Sequence, residues 1–165
     1  MANQITYNAR PDFETILMSN GLTSVFVAVI ALSASALSTS DTQRQFAAWV
    51  ASHDQSLFGL GTVGFDLSEL PWSDGTFADD RAFVLHVIAA AKARTGWERL
   101  GYVPLEAWLQ PRLDQFRNLV EAFVIEHARE VDSKVWRYGK PDRWTLCPVH
   151  QVYQHAHGCV LCHDT

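Results

Sequence analysis

Gly21-Leu-Thr-Ser-Val-Phe-Val-Ala-Val-Ile-Ala-Leu-Ser-Ala-Ser-Ala-Leu37 is apolar on nearly every side. Neither helical nor alternating spacing gives it a polar face, so the segment belongs inside a core. Its alanines tilt it toward helix over Leu22–Leu37. The same run superficially resembles an export signal, with Ala34-Ser35-Ala36 imitating a cleavage site. Its flank argues against that, because Arg10 faces Asp12 and Glu14 where a signal needs a short basic start. With four Ser/Thr among about 17 residues it is marginal for a bilayer span. The expectation is a buried element of a cytoplasmic protein with no membrane partner.

Outward from this segment the pattern is helical. Pro11–Asn20 reads as a short helix or an extended lead-in. Ser40-Asp-Thr-Gln43 matches a capping box, and Phe46, Trp49, Val50 and His53 then share one helical face. Asp54–Asp80 is rich in glycine and proline, with Thr62–Asp66 as a short extended piece. Asp79 or Asp80 caps a helix over Arg81–Thr95, with Phe83, Val84, Val87, Ile88 and Ala91 inward and Gly96 ending it. Pro111 placed in a first turn predicts a long helix over Gln110–Asp132, with Leu113, Phe116, Val120, Phe123, Val124 and His127 as its stripe. The fold class expected is mainly α: a helical domain over 1–133, with a basic connector and a metal-bound hairpin over 134–165 packed on it.

All three cysteines fall in the last nineteen residues. Cys147-Pro-Val-His150 and, eight residues on, Gly158-Cys159-Val-Leu-Cys162 offer two pairs of ligands at the spacing that wraps a metal in tight turns. Pro148 stiffens the first turn, and Gly158 frees the backbone of the second. These turns resemble those of zinc ribbons and related short zinc hairpins. The resemblance implies one structural Zn²⁺ held by Cys147, His150, Cys159 and Cys162, with His155, His157 or His163 as alternatives to His150. Cys159-Val-Leu-Cys162-His163 also matches a c-type haem attachment motif, but a haem needs a surrounding fold that two following residues do not supply. Gly59-Leu-Gly61-Thr-Val-Gly64 has dinucleotide-loop spacing, yet a helix precedes it where a strand is required, so it reads as a plain glycine loop.

No HExxH, GxSxG or Walker A pattern occurs. His53-Asp54 and Glu126-His127 are neighbours that point apart, and His86 and His127 lie in or beside apolar stripes. The reading is of a chain without an enzyme's machinery. Charge is uneven: residues 1–80 carry two basic and nine acidic side chains, whereas 81–165 carry eleven and nine. An acidic half repels nucleic acid and steers a basic partner. Asp66, Glu69, Asp74, Asp79 and Asp80 cluster around Trp72 and Phe77, an expected partner-binding surface with aromatic anchors. Gly61–Trp72 together with the cysteine tail resembles small bacterial proteins, some of which are immunity proteins that act as antitoxins. That resemblance implies a partner-binding role against a basic cognate toxin. The alternative is a zinc-containing nucleic-acid-binding regulator using Lys134, Arg137, Lys140 and Arg143 with Trp136, Tyr138 and Trp144.

Overall fold

A computed structural model describes residues 3–128 and 135–164. The described residues form six α-helices and one small sheet, in the order β1 (Gln4–Thr6), β2 (Ile16–Leu17), α1 (Asn20–Leu37), α2 (Asp41–Ala51), α3 (Gln55–Phe58), β3 (Phe65–Asp66), α4 (Phe77–Lys92), α5 (Glu106–Ala122) and α6 (Val160–His163). The mainly helical class stands. The sheet has strand order β2-β1-β3, with β1 antiparallel to β2 and parallel to β3. Residues Pro11–Asn20 thus hold no helix of their own: a turn leads into β2, and Asn20 opens α1.

Helix α1 is the centre of the molecule, packed against α2, α4 and α5. Phe26, Val29, Ile30, Ala31 and Ala34 are each at most 1% exposed. Ser19 caps its start by accepting from the backbone N–H of Leu22, and at its end the Ser38 hydroxyl donates to the Ala34 carbonyl. By length and composition alone α1 is apolar enough to cross a membrane, but 61% of it is buried inside this chain. Gly96 holds a left-handed φ of 80° beneath it, where a Cβ would approach Leu32 Cβ to 3.1 Å.

Several boundaries differ from the sequence expectation. At α2, Ser40 accepts from Gln43 N–H as a capping box requires, but the Gln43 side chain returns to Thr39 rather than Ser40. Helix α4 starts at Phe77 instead of Arg81. Asp80 lies inside its first turn, accepting from Ser73 N–H and the Thr76 hydroxyl. Helix α5 starts at Glu106, so Pro111 is internal, and Leu109 and Leu119 join the buried stripe. The proline costs the Ala107 carbonyl its helical donor, which is tolerable because both residues face solvent.

Helix α5 also stops at Ala122. Phe123 turns extended so that its ring stacks on Trp72 (5.1 Å) and leans on Tyr7 (5.2 Å), and Arg81 donates to its carbonyl. Val124 is consequently exposed, and His127 sits in a 3-10 turn hydrogen-bonded to the Tyr7 hydroxyl. The expected continuation of α5 through Asp132 runs into the residues outside those described.

Candidate metal centre

The first ligand turn closes as a knuckle. Gln151 N–H donates to the Cys147 carbonyl, with Gln151 in a left-handed φ of 55°, and Cys147 N–H donates to the Val152 carbonyl. The second turn is built by paired backbone bonds between His155 and Gly158, after which α6 carries Cys162 one turn beyond Cys159. Gly158 has φ 117°, and a Cβ there would come within 3.2 Å of His163 Nε2, so backbone and packing both select glycine.

These turns bring the four ligand atoms within 4.8 Å of one another. Cys147 Sγ lies 3.8 Å from Cys162 Sγ and 3.8 Å from His150 Nδ1. His150 Nδ1 lies 3.6 Å from Cys159 Sγ and 3.4 Å from Cys162 Sγ. A tetrahedron with metal–sulfur bonds of about 2.3 Å and metal–nitrogen bonds of about 2.05 Å has S···S edges of about 3.8 Å and S···N edges of about 3.6 Å. The four side chains therefore fit one tetrahedral metal ion. His150, rather than its three neighbours, is the histidine that joins the thiols.

The thiol electrostatics point the same way. Burial disfavours the Cys147 thiolate, but donors from the backbone of His150 and Val149 and from the His150 side chain outweigh it and bring that thiol down to about 6. Burial, and after it the hydrogen bond with Cys147, push Cys159 up to about 12, and burial raises Cys162 as well. Burial first and Cys147 second disfavour the thiolates of Cys159 and Cys162. A bound divalent metal offsets both by balancing the charge.

A second cluster escaped the sequence reading. Asp54 Oδ2 accepts from both His155 Nε2 (2.9 Å) and His163 Nδ1 (2.7 Å), with the Asp54 and His155 side chains almost wholly buried. Burial works against the Asp54 charge, yet the two imidazole donors hold its carboxyl below the usual range. His155 Nδ1 accepts from the backbone N–H of His157 at 3.1 Å, which leaves its proton on Nε2. A metal at Nε2 would need that lone pair and would drive the proton to Nδ1, against the His157 N–H. The cluster is thus a hydrogen-bonded latch fastening the metal-binding tail to the start of α3. Tyr153 N–H donating to Ser35 Oγ of α1, and Arg44 of α2 donating to the Tyr153 hydroxyl, add two further ties.

The expected partner surface does not survive intact. Trp72 is 2% exposed and donates to the Leu67 carbonyl, so it is a core residue. Asp66 is buried too, accepting from the Thr6 hydroxyl and the backbone N–H groups of Asn8 and Ser68. Glu69 is buried, accepting from Asp66 N–H and paired with Arg137. What remains outside is Asp74 and Asp79, with Phe77 and Asp80 half-buried. Asp79 and Asp80 edge a cleft of about 490 Å³ between α2 and α4, floored by Phe46, Leu70, Trp72 and Phe83 and rimmed also by Gln43 and His86. His86 is exposed there rather than a core histidine. Burial and the neighbouring Asp79 raise the Asp80 carboxyl against its two donors.

The connector's aromatic rings and Arg137 are engaged by protein, while Lys140 and Arg143 are exposed. Tyr138 stacks on Phe58 at 4.3 Å and donates to the Thr62 carbonyl, Trp136 stacks on Trp144, and Lys140 lies over the Trp144 ring. Arg137 also reaches the Gly64 carbonyl, and Lys134 lies outside the described residues. The glycine loop runs from α3 into β3, the reverse of the strand-to-helix order a pyrophosphate site requires. Compared with protein-family models, curated proteins and solved structures, the chain finds no match.

Proposed function

We propose that this chain is a non-enzymatic partner-binding protein whose tail is fixed by one structural zinc ion. The observation that carries the reading is the closed ligand set. Three sulfurs and one imidazole nitrogen occupy all four corners of a tetrahedron, leaving no position for a substrate or water. Mixed sulfur and nitrogen donors suit zinc, which has no geometric demand of its own. Elemental analysis of protein purified without added metal tests this, with one zinc per chain expected. A stoichiometric iron content with haem absorbance, or none of any metal, overturns it.

The partner we propose is a basic protein, in the most concrete form a cognate toxin that this chain neutralises as an immunity protein. Support comes from the acidic balance of residues 1–80 and from an apolar-floored cleft with carboxylates on its rim. Such a cleft suits a lysine or arginine whose stem lies on the rings while its charge meets Asp79. Asp79→Asn with Asp74→Asn should slow association with a basic toxin encoded beside this gene, and flatten its salt dependence, without changing the melting temperature. Unchanged rates would remove the cleft from the interface. Asp80 is unsuitable as a probe because it holds the start of α4. The nucleic-acid alternative is less supported, since Trp136 and Tyr138 are already stacked on protein rings.

A further inference from the structure

At about 490 Å³ the cleft between α2 and α4 falls within the range of pockets that take a small molecule, about 300–1,000 Å³. Its floor belongs to the core. Phe46, Leu70, Trp72 and Phe83 are each at most 9% exposed, and the Phe46 and Phe83 rings meet edge to face at 6.0 Å. A floor held from beneath in this way is preformed, so a ligand does not have to order it on binding.

The charge around the cleft selects the ligand. Its lining includes Asp79 and Asp80 but no lysine or arginine. The arginines that neighbour lining residues in sequence are turned to other partners. Arg44, beside Gln43, donates to the Tyr153 hydroxyl and Asp41, and Arg81, beside Asp80, donates to the Phe123 carbonyl and lies over the Phe77 ring. No ion pair among the described residues includes either carboxylate. Starting α4 accounts for Asp80, which accepts from Ser73 N–H and the Thr76 hydroxyl, but not for the exposed Asp79 next to it. Burial and the Asp79 charge raise the Asp80 carboxyl, and a cation beside Asp79 relieves that repulsion. Both carboxylates lie toward one end of the cleft. His86, also at its rim, stands about 9–10 Å further along α4. The complementary ligand therefore carries its charge at one end and an apolar body behind it.

We infer that this cleft is a binding site for a small organic monocation, an amine or amidine on an apolar body, with the charge at Asp79 and the body on the Phe46–Phe83 floor. The inference shares its cleft with the proposed partner contact but does not need the partner to be a toxin. The chain alone binds the ligand, and a basic partner that uses the cleft competes with it.

Benzamidinium is a suitable probe, with benzamide and benzoate as neutral and anionic counterparts of the same shape. Calorimetric titration of the metal-loaded full chain should find one saturable benzamidinium site, and the melting temperature should rise with probe concentration. Benzamide and benzoate should bind at least about tenfold more weakly. Asp79→Asn should lower benzamidinium affinity about tenfold while leaving the melting temperature of the free chain unchanged, because the side chain is exposed. Ala82→Leu adds bulk to the cleft lining from an exposed position of α4, and should abolish binding with metal content and helical signal unchanged. No saturable binding at millimolar probe, equal binding of benzamide, or binding that survives both substitutions overturns the inference. A toxin whose association is indifferent to saturating benzamidinium would instead remove the partner from the cleft and leave the ligand site standing, so the two readings fail separately.

Discussion

Residues 20–122 and residues 147–164 hold their shapes by different means. The first region buries Phe26, Trp49, Ile88, Leu109 and Phe116 around α1, each at most 2% exposed, and edge-to-face ring pairs such as Phe26–Phe116 at 5.5 Å lock the layers. The second offers Val152, Tyr153, Val160 and Leu161 to the core, and little else that is apolar. So short a segment cannot bury enough surface to offset its ordering entropy. A ligand set that fits one metal ion and a buried carboxylate with two histidines stand where that core is missing. The first region rests on many apolar contacts, the second on few apolar and a handful of polar ones.

The sharpest way to break this contrast is Cys159→Ser. It should abolish metal binding and release the tail, an effect on the order of 10 kcal/mol on the tail's own stability. Far-ultraviolet dichroism should keep most of its helical signal, because α1, α2, α4 and α5 contain no ligand. Loss of that signal would show that the body depends on the metal as well.

Trp49→Ala comes next. The ring is 1% exposed, and its indole N–H donates to the Val135 carbonyl at 2.8 Å. Denaturant unfolding should show a loss of about 3–5 kcal/mol, with metal stoichiometry unchanged once the variant is folded.

Asp54→Ala should leave the metal bound but strand the buried His155 Nε2–H donor, at about 2–3 kcal/mol. Hydrogen exchange should rise at residues 153–163 before it rises in α1. Equal rises would merge the two regions into one cooperative unit.

The smallest effect is one of pH within the body. Complete burial lowers His53 to about 3, despite its bond to the Trp49 carbonyl. The neutral ring is favoured in the fold, so stability is full above the ordinary histidine value and declines as pH falls toward 3. At pH 5 the loss is about 2 kcal/mol, and His53→Leu should flatten that limb of a stability-against-pH curve.

What the sequence disclosed follows the same division. The metal ligands were legible because a turn needs only local spacing, and α1 because its composition leaves no polar face. The boundaries of α4 and α5 were not, since long-range packing overrode local signals. Phe123 leaves the helix for the Tyr7 and Trp72 rings, and Asp80 holds the start of α4 from inside its first turn, through Ser73 and Thr76, rather than as its cap. Trp72 among carboxylates looked like an exposed anchor because sequence does not tell that Leu67 would take its N–H. The Asp54 latch joins residues 101 and 109 positions apart, and no motif spans that distance.

That separation also carries an entropic cost as the chain folds. Closing a loop of some hundred residues is entropically expensive, and closing two such loops independently is more so. The ligand turns lie within sixteen residues, Cys147–Cys162, so metal capture needs only a short closure. Once made, it carries His155 and His163 as a pair, and a single long-range encounter with Asp54 seats both. An ion bound there would template a contact it does not touch.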